Sequence, residues 1–183
     1  ISDKLGLSCK ILPMSDNSVS TKLKTTDDKI LDFQEYFVEL KSEPNLNDVI
    51  YLNSEDADIT TEVSKAIEEA EKIVIGPSNP ILSIGPILSL ENLKEKLIND
   101  EATYIVSPFI QDKAIKGPSK KNFEDLGYKS DITGIKKFYD NVGNFYIVHN
   151  GDSDDAENTI EKNILFKSVA DSINLARYIV DHE

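Results

Sequence analysis

The sequence of 183 residues has no tryptophan, a single cysteine, a single methionine and two histidines, and it is short of positive charge, with 20 Lys and Arg against 33 Asp and Glu. Each shortage excludes something. One cysteine, Cys9, permits neither an internal disulfide nor a thiolate metal cluster, which favours an intracellular, cytoplasmic setting. A formal net charge of −13 leaves no cationic face to release counterions from nucleic acid or to dock on anionic membrane, so neither is expected as a partner. No apolar run approaches the roughly 20 residues that span a bilayer, and no segment pairs a basic start with an apolar middle in the manner of a secretory leader. At 39% hydrophobic residues the chain can still build one real core, but its length is short for two.

What is present is organised as alternating strands and helices. Lys10–Pro13 is expected as a short strand, Val19–Thr26 as an extended polar segment and Asp48–Leu52 as an alternating strand. Leu31–Leu40 has near-helical apolar spacing, with Phe33, Phe37 and Leu40 on one side and Tyr36 beside them. A helix is predicted over 60–71, capped by Thr60 or Thr61, with Val63, Ile67 and Ala70 inward. Strand 72–76 leads through a long loop to a helix over 90–99 that buries Leu90, Leu93, Leu97 and Ile98. Strand Ala102–Val106, two short helices around Gly127, strand Phe145–Val148 and a terminal helix Ser168–Val180 follow, the last with Val169, Ile173, Ala176 and Ile179 inside. The alternation implies an α/β fold, a three-layer Rossmann-like sandwich with a mostly parallel sheet and right-handed crossovers.

The most informative stretch is 72–90. A β-branched strand, Ile73-Val74-Ile75, stops at Gly76-Pro77, and Ser78-Asn79-Pro80 and Ser83-Ile84-Gly85-Pro86 form two small polar stations between aliphatics. Prolines fix the backbone, glycines allow close approach, and Ser and Asn supply donors and acceptors. Such a loop is either an ordinary connection into a capped helix or the wall of a binding crevice at the carboxyl edge of the sheet. In the second reading Ser78, Asn79, Ser83 and the amides of 83–85 grip a planar heterocycle or a phosphate. The strand at 102–106 also ends in a Ser-Pro loop, so both loops can line one crevice. Lys116 is either a solvated surface lysine or a positive charge brought to that edge.

Other groups carry less. Phe33, Tyr36 and Phe37 are a core stripe or one wall for a flat ring. Asp152, Asp154, Asp155 and Glu157 form either a solvent-facing acidic run or oxygen ligands for a hard cation, without the spacing of a calcium loop. His149 has no partner in sequence that would make it a catalyst, and there is no GxSxG elbow, zinc-type His pair or Walker loop.

The order of residues in GPSNP (76–80) and SIGPIL (83–88) resembles the 2-phospho-L-lactate transferase (CofD-like) family of coenzyme F-420 biosynthesis. Leu12-Pro13-Met14-Ser15-Asp16, the FQEYFV stretch from Phe33 to Val38, Val106-Ser107-Pro108-Phe109-Ile110 and Lys116-Gly117-Pro118 match further elements of that family in the same order. The likeness spans most of residues 5–120. It implies transfer of a phospholactyl-type group from a guanosine diphosphate-linked donor to a hydroxyl of the deazaflavin Fo, with release of GMP and with Mg²⁺ as cofactor.

By that resemblance Gly76, Pro77, Ser78, Asn79, Pro80, Ser83, Ile84, Gly85, Phe33, Tyr36 and Lys116 are the substrate-binding candidates, and residues 14–45 an insertion at the acceptor site. Family members are longer, so residues 1–183 are expected to be a single α/β domain, the C-terminal portion of a longer enzyme, its sheet incomplete on the N-terminal side. The nucleotide-site glycines and the metal-handling acid are expected outside it. No catalytic or metal residue is then assigned here, and the chain alone is expected to be inactive; a homodimer is compatible with this reading. Two departures stand out. His149 occupies the place of the first of a family aspartate pair, with Asp152 matching the second, and Gln111-Asp112 replaces a flexible glycine pair. The rival is a related family of nucleotide-sugar-binding regulators of gluconeogenesis, whose loop has Leu-Tyr where this chain has Asn79-Pro80.

Overall fold

Four short strands rich in β-branched and aromatic residues set the frame. In the computed structural model, which describes every residue except Ile1, Asp3, Leu5, Asp112, Ile115, Lys116 and Glu183, the chain begins with an antiparallel unit. It comprises β1 (Ser20–Thr25), β2 (Ile30–Asp32) and β3 (Leu46–Leu52) in the order β2-β1-β3, with Leu23 opposite Leu31 and Val49. Helix α1 (Thr61–Glu68) follows, and then β4 (Ile73–Ile75). A wide-turn segment Pro80–Ile84 runs into the single turn α2 (Gly85–Leu88) and then α3 (Glu91–Leu97). Next come β5 (Thr103–Val106), a small hairpin of β6 (Phe109–Ile110) and β7 (Lys113–Ala114), and helices α4 (Ser119–Asp125) and α5 (Ile132–Tyr139). The chain ends with β8 (Phe145–Val148), β9 (Thr159–Glu161) and α6 (Val169–Asp181).

Strands β4, β5, β8 and β9 pair in that order and all run parallel, with Val74 beside Tyr104 and Ile105 beside Tyr146. A parallel sheet needs cover on both faces, and side-chain alternation supplies it. Ile105, Tyr146 and Val148 point into a core shared with α3, α4, α5 and the antiparallel unit. Tyr104, Val106 and Ile147 point the other way, onto Leu175 and Ile179 of α6. The three-layer α/β sandwich expected from the alternation is therefore the fold. Among the described residues no helix is long and apolar enough to cross a membrane.

Four local expectations are corrected. Lys10–Pro13 forms no strand. Leu31–Leu40 begins as strand β2 and only then turns, through the wide i→i+5 segment Glu35–Glu39 closed by Leu40 N–H to the Glu35 carbonyl at 2.9 Å. Ile98 is 43% exposed, because α3 ends at Leu97 and the backbone at Ile98 is already extended. The inner face of α6 is Leu175 and Ile179, whereas Val169, Ile173 and Ala176 face out.

Candidate functional site

The loop after β4 is built by one asparagine and two prolines. Asn79 Oδ1 accepts from the amides of Ile81 and Leu82 at 2.9 and 3.1 Å, capping a segment that proline at position 80 has already started. The amides of Ser83 and Ile84 both donate to the Asn79 carbonyl, and that of Gly85 to the Pro80 carbonyl, so the turn is wide. The next donor in that ladder would be residue 86, which is proline and has no N–H. The Ile81 carbonyl is instead taken by the Tyr51 hydroxyl, reaching in from β3 at 2.7 Å. That approach is possible only because residue 85 is glycine: a methyl there would overlap the Tyr51 hydroxyl.

This geometry sorts the candidate residues. The amides of 83–85 are committed inside the turn and do not reach a ligand, which corrects the expectation that they grip one. Asn79 is committed as well, because its Nδ2 donates to Asn122 Oδ1 at 3.0 Å. Asn122 in turn donates to the Tyr36 hydroxyl at 2.6 Å, and Tyr36 donates on to the Ser42 carbonyl. Tyr36 is fully buried in this chain of bonds; burial first, and the nearby Asp125 carboxylate, push its hydroxyl up to about 12 against the Asn122 and Ser42 hydrogen bonds. Pro80 and Gly85 are buried and Ile84 half-buried. Gly76, Pro77, Ser78 and Ser83 are exposed, and Gly76 has open space where a side chain would be. Phe33 stacks on Phe37 with ring centroids 5.4 Å apart and lines a groove of about 550 Å³ with Gln34, Leu82 and β1. Lys116 lies outside the described residues.

A second depression was not singled out in the sequence. Between the carboxyl ends of β5 and β8 lies a crevice of about 470 Å³, lined by Ser107, Thr133 and the carboxylates of Asp131, Asp152 and Asp154. Its walls are tied together: Asp152 Oδ2 accepts from the Gln111 amide at 3.0 Å, joining the loops after β5 and β8. Asp131 caps α5 by accepting from the Gly134 amide at 2.9 Å and from the Thr133 hydroxyl at 2.6 Å. Asp154 accepts from Lys136 Nζ at 2.7 Å and Thr159 Oγ1 at 2.6 Å. Partial burial works against charge on Asp131 and Asp154, but these hydrogen bonds outweigh it and hold both carboxyls below the usual range. The crevice thus offers hydroxyls and ionised carboxylates, suited to hydroxyl and N–H donors of a ligand. The loop after β4 does not line it; the residues there that share a depression with β5 are Gly76 and Pro77, with Val106, on the α6 side. The Ser-Pro after β5 and the Asp152 group were visible signals, but nothing in the sequence joined them to Asp131.

Comparison with known proteins fits this frame. The family model described as 2-phospho-L-lactate transferase CofD matches residues 1–174. The chain is 36% identical over 184 residues to a 2-phospho-L-lactate transferase of Methanocaldococcus jannaschii, covering 97% of this chain and 59% of that protein. It is 35% identical to one of Methanococcus vannielii with the same shares of both chains. The chain therefore spans about three-fifths of the length of these curated relatives. Two crystal structures of a Bacillus halodurans protein of the UPF0052 family superpose with TM-scores of 0.66 and 0.69. Those matches cover 96% and 98% of this chain and 63% and 64% of the other. At 18% and 17% identity they establish the fold alone. The family match over nearly the whole chain and the identity to the archaeal transferases agree: the chain belongs to the 2-phospho-L-lactate transferase CofD family.

Proposed function

We propose that this chain is the acceptor-binding and scaffolding part of a cytoplasmic 2-phospho-L-lactate transferase of coenzyme F-420 biosynthesis. The observation that carries the reading is the family match over residues 1–174. In the reaction a hydroxyl of the deazaflavin Fo attacks the phosphorus of the phospholactyl group in a guanosine diphosphate-linked donor. The new P–O bond forms as the bond to GMP breaks, and the hydroxyl proton departs. Such chemistry depends on positioning and charge stabilisation and needs little covalent help from protein. The exposed face of Phe33 suits stacking of a flat tricyclic ring in the groove beside β1. Ser78, Ser83 and the open backbone at Gly76 supply polar contacts at the end of β4. Lys116 is assigned to the donor phosphates on the resemblance alone.

Magnesium would neutralise the donor diphosphate. Among the described residues no three His, Cys, Asp or Glu side chains gather as a ligand set, so these residues do not fit it. Titration of the chain with Fo, followed by the absorbance of the deazaflavin, is expected to show saturable binding that Phe33→Ala weakens about tenfold, and an assay of phospholactyl transfer with Mg²⁺ is expected to show no turnover. Absence of Fo binding would overturn the acceptor assignment, and robust turnover would overturn the scaffold role.

A further inference from the structure

Of the asparagines in the chain only Asn150, in the turn after β8, is followed by glycine. An Asn-Gly pair is chemically labile. The glycine nitrogen attacks the asparagine side-chain Cγ, the new C–N bond closes a five-membered succinimide, and the side-chain nitrogen leaves as ammonia. Water then adds to one of the two ring carbonyls, and ring opening gives aspartate or isoaspartate. Water is the only co-reactant. Glycine is the most permissive successor, because no side chain obstructs the closing ring and its backbone turns freely.

The fold demands that glycine and then restrains it. His149, Asn150, Gly151 and Asp152 form a turn in which the Asp152 N–H donates to the His149 carbonyl at 3.0 Å. Gly151 has φ +90°, whereas Asn150 is not among the residues of positive φ, and this is the type II pattern that calls for glycine in third place. A type II turn holds ψ of its second residue near about +120°, which rotates the following nitrogen away from the asparagine side chain. Ring closure therefore requires the Asn150–Gly151 peptide to flip. Glu161 opposes the flip: its Oε1 accepts from the Gly151 N–H at 2.9 Å and from the Ser153 N–H at 3.3 Å. Glu161 is the last residue of β9 and pairs with Val148 at the end of β8, so the strand pairing fixes its carboxylate over the turn. The same carboxylate works against the chemistry. The attacking species is the deprotonated amide, and a negative neighbour that hydrogen-bonds the N–H disfavours its ionisation.

Asn150 itself is exposed, and among the described residues its side chain makes no hydrogen bond, so nothing shields Cγ once the peptide has flipped. We propose that Asn150 is a site of spontaneous conversion to aspartate and isoaspartate, and that Glu161 is the restraint that sets its rate in the folded chain. The location gives the conversion a structural consequence. Gly151, Asp152 and Asp154 line the crevice between β5 and β8, and Asp152 ties the loop after β8 to the Gln111 amide. Either product adds a carboxylate at the rim, next to those of Asp152 and Asp154. Isoaspartate also lengthens the main chain by one methylene ahead of Gly151, which displaces Asp152 from the strand end that positions it. The inference rests on the turn alone and holds whichever ligand the crevice takes.

The test holds the chain in mildly alkaline buffer, folded and unfolded in urea, and digests samples at intervals. Mass spectrometry reads the amide-to-acid change at each asparagine, and electron-transfer fragmentation separates isoaspartate from aspartate. In urea Asn150 is expected to convert before every other asparagine, and at least tenfold faster than in the folded chain. Glu161→Ala is expected to speed conversion of the folded chain at least threefold. Because a less stable variant would also react faster, the two proteins are compared at urea concentrations that leave the same fraction folded. An acceleration that persists under that match supports the restraint. Another asparagine converting first in urea, a folded rate equal to the unfolded one, or a Glu161→Ala rate equal to that of the unsubstituted chain would each overturn the proposal.

Discussion

The Tyr51 hydroxyl donates to the Ile81 carbonyl at 2.7 Å and stands in for the amide that Pro86 lacks. Two motifs thirty residues apart in sequence thereby become one structural unit. The Ser83-Ile84-Gly85-Pro86 run, through its proline, leaves the Ile81 carbonyl without a main-chain donor, and β3 supplies one. Burial pushes the Tyr51 hydroxyl pKa up, so it remains protonated as the bond requires.

Tyr51→Phe is expected to destabilise the chain by about 1–3 kcal/mol, the usual loss when a buried acceptor is left unpaired. In a Pro86→Ala background the same change should cost less, because the amide regained at position 86 can take the Ile81 carbonyl. Urea denaturation of the four proteins of this cycle checks the coupling. Equal cost in both backgrounds would show that Pro86 is not the reason Tyr51 is there.

Asn122 joins the β4 loop to the Glu35–Glu39 turn, accepting from Asn79 and donating to Tyr36. Asn122→Leu is expected to cost about 1–3 kcal/mol by leaving the buried Tyr36 hydroxyl with only its Ser42 contact. Asn79→Ala should cost about as much, by removing the cap on Ile81 and Leu82. Combining the two should cost clearly less than the sum, since each already breaks the shared bond. Chemical denaturation midpoints decide it.

These bonds explain how far the sequence could be read. The strand–loop–helix alternation was legible because β-branched runs and Pro-Gly breaks are local signals, and β4, β5, β8 and the capped α1 follow them. The roles of Asn79, Gly85 and Tyr36 were not legible. In the sequence, Asn and Gly after a strand look alike whether they meet a ligand or a neighbouring residue, and the partners here, Asn122 and Tyr51, lie on other elements. The apolar spacing of α6 failed for a different reason. Val169, Ile173 and Ala176 do share a face, but the sheet present in this chain is wide enough only to cover the adjacent face of Leu175 and Ile179. The crevice between β5 and β8 depends on three segments meeting, which no local pattern encodes.

Tyr139 is 1% exposed, and its hydroxyl has no hydrogen-bond partner among the described residues. Its ring packs edge-on against Phe138, with centroids 5.2 Å apart. Tyr139→Phe keeps that packing and removes a desolvated donor, so it is expected to be neutral or to stabilise by about 1 kcal/mol. A thermal midpoint lowered by several degrees would show that the hydroxyl has a partner after all.

Alkaline pH should act through the same buried phenols. Burial raises the hydroxyl pKa of Tyr36, to about 12, and those of Tyr51 and Tyr139 as well. For each, the folded chain keeps a proton that the unfolded chain gives up near pH 10, so the unfolded state binds fewer protons above that point. Their contribution to stability is complete below about pH 10 and is lost as pH climbs from there through the folded values. Each phenol adds at most about 1.4 kcal/mol per pH unit to that slope. Lysines lose charge over the same range, so the wild-type slope alone does not isolate the tyrosines. Tyr139→Phe does, because it removes one titrating phenol and no ion pair. Between pH 10 and 12 its stability should fall less steeply than that of the unsubstituted chain, while at pH 7 to 9 the two curves run parallel. Curves that stay parallel up to pH 12 would mean that the Tyr139 hydroxyl ionises as readily inside the fold as outside it, and that water reaches it.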